Sequence, residues 1–334
     1  MTSMYMWSRI DLKGFDGLVI TPGSYLYNYA FPEEEKSLCM LEMRSFFGKD
    51  SEEGIIESSV EIDPSRSPFI RERIDVLFKG NDLHQIIARV KELELGESTF
   101  KVRYVKAAGL DKIAFEERRR IERRVGLAVK GIPELDNPVL IFGIVEVHGF
   151  WYFGQLHNSE QVWLQHQHKP NSYSTALGTR VARAVANIAV PEPAGVKAID
   201  PCCGIGTVVV EALSMGIDIV GSDNNPLILT GTRENIAHFG YSTDIKFIDL
   251  REVTGHYDVA IIDMPYNLCS VITPEEQLDM LHSTRGFADK AVIVTIEPID
   301  PVIREAGFEI IDRGIVKKGN FTREVIVCKK ALKN

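Results

Sequence analysis

Asp200-Pro201-Cys202-Cys203-Gly204-Ile205-Gly206-Thr207 stands between two apolar segments, residues 196–199 and 208–215. The first has the length and bounds of a buried strand, the second those of a helix. Glycines at such a turn let backbone approach a ligand with no side chain in the way. The third glycine of a dinucleotide fingerprint is absent, because Val209 occupies its place. The ligand therefore need not carry a pyrophosphate.

Working outward toward the C-terminus, the same rhythm repeats. A strand at 217–220 runs into Gly221-Ser222-Asp223, and Pro226 opens the next helix. An acid at the end of the second strand is placed to accept from ribose hydroxyls, with Asn224 beside it; capping the following helix is the other reading of Asp223. A third strand, 246–249, ends in Asp249, an acceptor for an adenine amino group or else a solvated loop acid. In order and spacing these signals point to an adenosine-containing ligand along the carboxyl edge of a parallel sheet. A fourth strand, 257–262, opens into Asp263-Met264-Pro265-Tyr266.

That last run decides the chemistry. The exocyclic amine of a nucleobase is a poor nucleophile, because its lone pair is delocalised into the ring. A carboxylate and a backbone carbonyl that accept its two N–H groups stabilise the positive charge that develops as an electrophile arrives. An aromatic ring stacks on the base once it has left its helix. Asp263, the Met264 carbonyl and Tyr266 supply these parts, and Pro265 stiffens the turn.

Toward the N-terminus, Ser174 or Thr175 caps a helix carrying Leu177, Val181, Val185 and Ile188, preceded by a polar linker at 161–173. Before it the pattern is mixed. It shows a strand at 18–20, a helix at 31–47 that stops at Gly48, a strand at 74–78 and a helix at 83–93. A half-buried strand at 100–104, with Lys101 and Arg103 on one face, precedes a helix at 115–130 with the cluster Arg118, Arg119, Arg120, Arg123 and Arg124. Strands at 138–147 and 150–153 follow. The arginine helix reads equally as a solvated face with i,i+4 pairs and as a phosphate-binding surface.

Asp263-Met264-Pro265-Tyr266 resembles the (Asp/Asn)-Pro-Pro-Tyr motif of amino-methyltransferases, with Met264 in place of the first proline. The 200–207 run is similar to the cofactor loop of the same class I enzymes. Lys169-Pro170, Leu177 and Val181-Ala182-Arg183 resemble the segment before that loop in the THUMP-domain tRNA guanosine-N2 methyltransferases. Residues 100–154 are similar to a THUMP domain.

The resemblance implies an α/β fold: a Rossmann-like class I methyltransferase domain at 172–334, its mostly parallel sheet closed by an antiparallel C-terminal hairpin. Before it come an α+β ferredoxin-like region at 17–98 and a THUMP-like RNA-binding region at 99–165. It implies S-adenosylmethionine (SAM) as cofactor, held by Asp200, Cys202, Gly204, Gly206, Thr207, Asp223, Asn224 and Asp249. Asp263, Met264, Pro265 and Tyr266 form the catalytic set, and tRNA is the partner, met by Arg119, Arg123, Lys101 and Arg103. Adenine-N6 methylation of DNA or RNA uses the same four-residue motif and stays open, as does a non-catalytic RNA-binding protein with a degenerate cofactor site.

Composition sets the outer bounds. The chain has 334 residues and a formal net charge of −9, so nucleic-acid binding calls for a local basic patch. Five scattered cysteines include no CxxC pair, and no His/Cys cluster suggests zinc. No apolar run is long enough for a membrane span. The opening residues lack a signal-peptide pattern, so a reduced, cytoplasmic location is expected.

Overall fold

The computed structural model describes residues 22–173, 176–265, 272–318 and 321–331. The strand expected at 18–20, the cap at Ser174 or Thr175, and Tyr266 lie outside the described residues. The chain forms two compact units, Met1–Ala30 with Ser51–Pro64 and Ile70–Ser159, and Phe31–Asp50 with Ser65–Phe69 and Glu160–Asn334. Helix α1 (Lys36–Phe47) thus belongs to the second unit.

The first unit is built on a seven-stranded sheet of β1 (Ser24–Tyr29), β2 (Ile55–Ser58), β3 (Ile70–Gly80), β4 (Glu94–Tyr104), β5 (Lys130–Pro133), β6 (Leu140–Val147) and β7 (Phe150–Asn158). Its order is β2-β1-β3-β7-β6-β4-β5. β4 runs parallel to both neighbours, whereas the remaining pairs are antiparallel. Helices α2 (Leu83–Val90) and α3 (Phe115–Gly126) turn Ile86, Val90, Ile121 and Val125 onto a core that includes Phe142 and Phe153. α2 begins where the Asp82 side chain accepts the Gln85 N–H at 2.9 Å, a side-chain cap on an otherwise orphan donor. The division drawn in the sequence at residue 98 falls inside β4, and one sheet runs through both regions. Local periodicity carries no information about which distant strands pair.

The second unit carries β8 (Lys197–Asp200), β9 (Asp218–Asp223), β10 (Ile245–Phe247), β11 (Tyr257–Asp263), β12 (Ala288–Thr295), β13 (Phe308–Lys318) and β14 (Phe321–Lys330). Their order is β10-β9-β8-β11-β12-β14-β13. The first five are mutually parallel, and β13 and β14 form an antiparallel hairpin against β12. This is the Rossmann-like class I arrangement expected from the sequence. Beside α1, its described helices are α4 (Thr179–Ala189), α5 (Thr207–Ser214), α6 (Pro226–His238), α7 (Pro274–Phe287) and α8 (Asp300–Glu305). Val259 to Ile262 in β11 are all buried, as a parallel strand covered on both faces requires. Strand order reverses between β8 and β11, and such a switch point opens a crevice at the carboxyl ends of the strands.

The polar stretch at 161–173 is not a free linker. It forms a 3-10 helix, Val162–His168, that buries Trp163 and His166. His166 Nδ1 lies 2.7 Å from Glu211 Oε1, and Arg183 Nη1 donates to Glu211 Oε2 at 2.7 Å. Arg183 also donates to the carbonyls of Arg66 and Ser65, each at 2.8 Å. Nearby, Asn187 donates to Glu42 Oε1 at 2.7 Å, and Ser67 Oγ donates to Glu42 Oε2. Buried polar groups need such partners, so the network selects one docking of α1, α4 and residues 65–69.

Burial pushes the Glu42 carboxyl up to about 7, against the hydrogen bonds from Ser67 and Asn187. A folded-state value above the ordinary 4.5 means the native state holds this proton more tightly than the unfolded chain. The stabilisation is complete below pH 4.5 and is lost as pH rises through about 7. Glu42→Gln keeps both hydrogen-bonding partners and removes the titration. Its stability relative to wild type is expected to rise by about 2–4 kcal/mol between pH 4.5 and pH 8. Urea unfolding at several pH values checks this; a stability difference independent of pH contradicts it.

Candidate active site

At the carboxyl ends of β8, β9 and β11 a cavity of about 550 Å³ opens, within the range of small-molecule sites. Residues 201–205 line it, whereas Gly206 shapes the loop without lining the cavity. Gly204 and Gly206 adopt φ of +51° and +77°, the left-handed region that glycine enters at no steric cost. A Cβ on Gly206 would lie 2.9 Å from Thr232 Cγ2, so this position is closed to larger residues on two grounds. Gly206 then leads into α5, whose first residue, Thr207, has a buried Oγ1 with no hydrogen-bond partner among the described residues.

Asp223 closes the loop from the neighbouring strand. Its Oδ2 accepts the Gly204 N–H and its Oδ1 the Asn225 N–H, both at 2.9 Å. The cap of α6 is Asn225, whose Oδ1 accepts the Leu227 N–H at 3.1 Å. The capping reading of Asp223 is therefore corrected: the side chain braces the loop, and each oxygen keeps a further lone pair. Asp249 lies two residues beyond β10, at the cap of a 3-10 turn. Arg251 grips its carboxylate with two bonds of 2.8 and 2.9 Å, and Asn224 Nδ2 donates to it at 3.1 Å. These bonds, the Arg251 guanidinium foremost, hold Asp249 below the usual carboxylate range.

Asp200 and Asp263 are different in kind. Asp200 is buried at the end of β8, and burial, reinforced by Asp263 and Asp223, pushes its carboxyl well above the usual range. Asp263 ends β11. Burial pushes its carboxyl up to about 7, with Arg323 pulling the other way. Its Oδ1 is buried with no hydrogen-bond partner among the described residues, an expensive state for an acceptor. Met264 is buried and anchors the turn through its N–H to the Val294 carbonyl at 2.9 Å. Pro265 is exposed. Burial and the surrounding acids push the Cys202 thiol well up, so it stays neutral beside the cavity.

The cavity thus gathers Asp200, Cys202, Gly204, Thr207, Asp223, Asn224, Asp249, Asp263, Met264 and Pro265. It also takes in residues the sequence reading passed over: Tyr173, Arg251, Glu276 and Met280. Glu276 had a legible signal, because Thr273-Pro274-Glu275-Glu276 is a capping-box sequence. Five acids face one arginine, and that arginine is bound to Asp249, so the lining suits a cationic ligand better than a polyphosphate. Among the described residues no group of His, Cys, Asp and Glu is arranged to hold a metal ion. No described helix is long and apolar enough to cross a membrane.

On the first unit, the basic residues differ in availability. Lys101 donates to the Leu135 carbonyl at 2.7 Å, and Arg103 pairs with Glu72 and Asn158. On α3, Arg119 and Arg120 pair with Glu122 and Glu117 at i,i+3 spacing, not in the i,i+4 pattern expected. Arg123 is exposed.

Residues 167–292 match the family model described as "RMKL-like, methyltransferase domain". A curated relative, the tRNA (guanine(10)-N2)-dimethyltransferase of Methanothermobacter thermautotrophicus, is 34% identical over 128 residues, 37% of this chain and 36% of that protein. The chain therefore spans little more than a third of that relative's length. Among solved structures, TrmN from Thermus thermophilus is similar with a TM-score of 0.47 and 17% identity, over 92% of this chain and 99% of that one. A protein described as a predicted N6-adenine-specific DNA methylase from Listeria monocytogenes gives 0.45 and 12%, over 92% and 96%. Strand order, the acids at the strand ends and the family match fall on the same part of the chain: residues 167–292 are similar to the RMKL-like methyltransferase domain.

Proposed function

We propose that this protein transfers a methyl group from SAM to the exocyclic N2 of a guanosine in tRNA. The observation that carries this is Asp263: its Oδ1 is a buried acceptor without a hydrogen-bond partner among the described residues, at the end of β11, lining the acidic cavity. The residues fit the cofactor. The cavity is large enough, its acids suit a sulfonium, and Thr207 Oγ1 is a second orphan polar atom at the N-terminus of α5, where backbone N–H groups favour a carboxylate. Asp223 offers lone pairs to ribose hydroxyls, and Asn224 and Asp249, which line the same cavity, are assigned to the adenine. Bound SAM supplies an electrophilic methyl on a positively charged sulfur, a good leaving group.

The chain's own residues then have two tasks. They align the amine with the methyl, and they support the charge that grows on nitrogen. Asp263 accepts one N–H of the amine and the Met264 carbonyl the other. Stacking of the base on Tyr266 rests on the sequence motif alone. The name of the curated relative favours guanine-N2 over adenine-N6. Mass spectrometry of nucleosides from tRNA and rRNA incubated with labelled SAM tests the reading: labelled N2-methylguanosine supports it, and label on adenine N6 or none at all overturns it.

The THUMP-like role belongs to the first unit, and the α3 arginines are its basic surface. Arg123 leads in this role, and Arg119 contributes once released from Glu122. Arg119→Ala with Arg123→Ala is expected to weaken tRNA binding and to reduce the salt slope of log K by about one to two. SAM affinity stays unchanged. Binding isotherms at several salt concentrations check this; identical slopes leave α3 a solvated face.

A further inference from the structure

The cavity that receives Asp263 holds a second carboxylate with its rotamer fixed in advance. Glu276 lies in the first turn of α7 and lines the same cavity. It shares a reciprocal capping box with Thr273: Thr273 Oγ1 accepts the Glu276 N–H at 3.2 Å, and Glu276 Oε2 accepts the Thr273 N–H at 2.8 Å. One carboxylate oxygen is therefore committed to the helix end. The other, Oε1, takes no hydrogen bond among the described residues. An ionised carboxylate is acceptor-only, so the side chain offers the cavity lone pairs and nothing else.

Guanine and adenine differ on the edge that bears the amine. In guanine the N2 amine adjoins N1–H, so two neighbouring groups both donate. In adenine the N6 amine adjoins an N1 lone pair, so a donor stands beside an acceptor. A pocket with two fixed acceptors matches the first edge and sets lone pair against lone pair on the second. Glu276 is exposed in the resting protein, so the discrimination arises when the base covers the carboxylate: the wrong base sets lone pair against lone pair there.

We propose that Glu276 is a specificity-determining residue: its Oε1 accepts the N1–H of the target base beside Asp263 and so selects guanine. This rests on the guanine-N2 reading above. 2-Aminopurine separates the two roles, because it keeps the N2 amine that Asp263 accepts and has a lone pair at N1.

The experiment compares tRNA transcripts carrying guanosine or 2-aminopurine at the mapped position, in single turnover. Wild type is expected to prefer guanosine by about 10- to 100-fold, the range of one hydrogen bond to a charged group. Glu276→Gln retains the capping box, since glutamine serves there as well as glutamate. The cap then takes its only oxygen and leaves an NH₂ donor for the cavity. The preference for guanosine is expected to fall to within about threefold or to invert, with thermal stability and S-adenosylhomocysteine affinity unchanged. Equal rates on the two bases by wild type overturn the proposal whatever the variant does. So does an undiminished preference in Glu276→Gln. Methylation of neither base by wild type strikes the guanine-N2 reading itself and takes the proposal with it.

Discussion

Replacing Asp263 with alanine is expected to slow single-turnover methyl transfer by about 100- to 1000-fold, the usual cost of removing one preorganised acceptor from a transition-state site. SAM binding and tRNA affinity stay near wild type, because the Asp263 Oδ1 has no hydrogen-bond partner among the described residues to lose. Saturating both substrates in single turnover separates the chemical step from binding. The same carboxyl sets a pH dependence. Burial pushes it up to about 7, so below that pH it is mostly protonated and one oxygen donates instead of accepting. The wild-type rate is expected to climb as pH rises through about 7 and then to level. A near-normal rate in Asp263→Ala, or a rate flat from pH 5.5 to 8.5 in wild type, sinks the mechanism.

Removing Arg183 is expected to destabilise the protein by about 3–5 kcal/mol, the cost of stripping one partner from a buried ion pair. Arg183 is 2% exposed and Glu211 fully buried. In Arg183→Ala, the Glu211 carboxylate keeps among the described residues its contact to His166, the Ser65 carbonyl loses the Arg183 donor, and the Arg66 carbonyl is left with Asn187 alone. The melting temperature is expected to drop by roughly 6–20 °C for a unit of this size. Adding Glu211→Met to Arg183→Met recovers part of the loss, since an apolar pair leaves no uncompensated charge. A drop of under about 1 kcal/mol in the single variant shows that water enters the site and that the network carries little.

The second unit was legible in the sequence where function depends on local order. Strand, glycine turn and helix at 197–214, and Asp223 and Asp263 at strand ends, follow from residues adjacent in the chain. What was not legible depends on partners far away. Trp163 and His166 sit in a polar stretch and are buried because Glu211, Phe239 and Arg180 meet them. Arg103 reads as a free cation until β3 and β7 bring Glu72 and Asn158 beside it. Asp249 was read as an open acceptor, yet the side chain two residues on occupies it, a local contact that periodicity does not encode. Lys290, half-buried with its ammonium on the Ile188 and Ala189 carbonyls at the end of α4, carries no sequence signal at all.

The interleaved chain path has a consequence for synthesis. α1 buries Leu38, Cys39, Met40, Leu41, Met43 and Phe46 against α4 and β13. Yet about 140 residues separate its end at Phe47 from the end of α4 at Ala189. A ribosome adding about 5–20 residues per second needs about 7–30 s to cover that distance. Throughout that wait the nascent helix has its apolar surface made and its receptor not yet translated. The strands of the first unit, β1 encoded before α1 and β2 to β7 in between, can complete their sheet meanwhile. The vectorial order of translation thus leaves this helix the segment most in need of a chaperone, and slowed codons between residues 48 and 189 would lengthen its exposure.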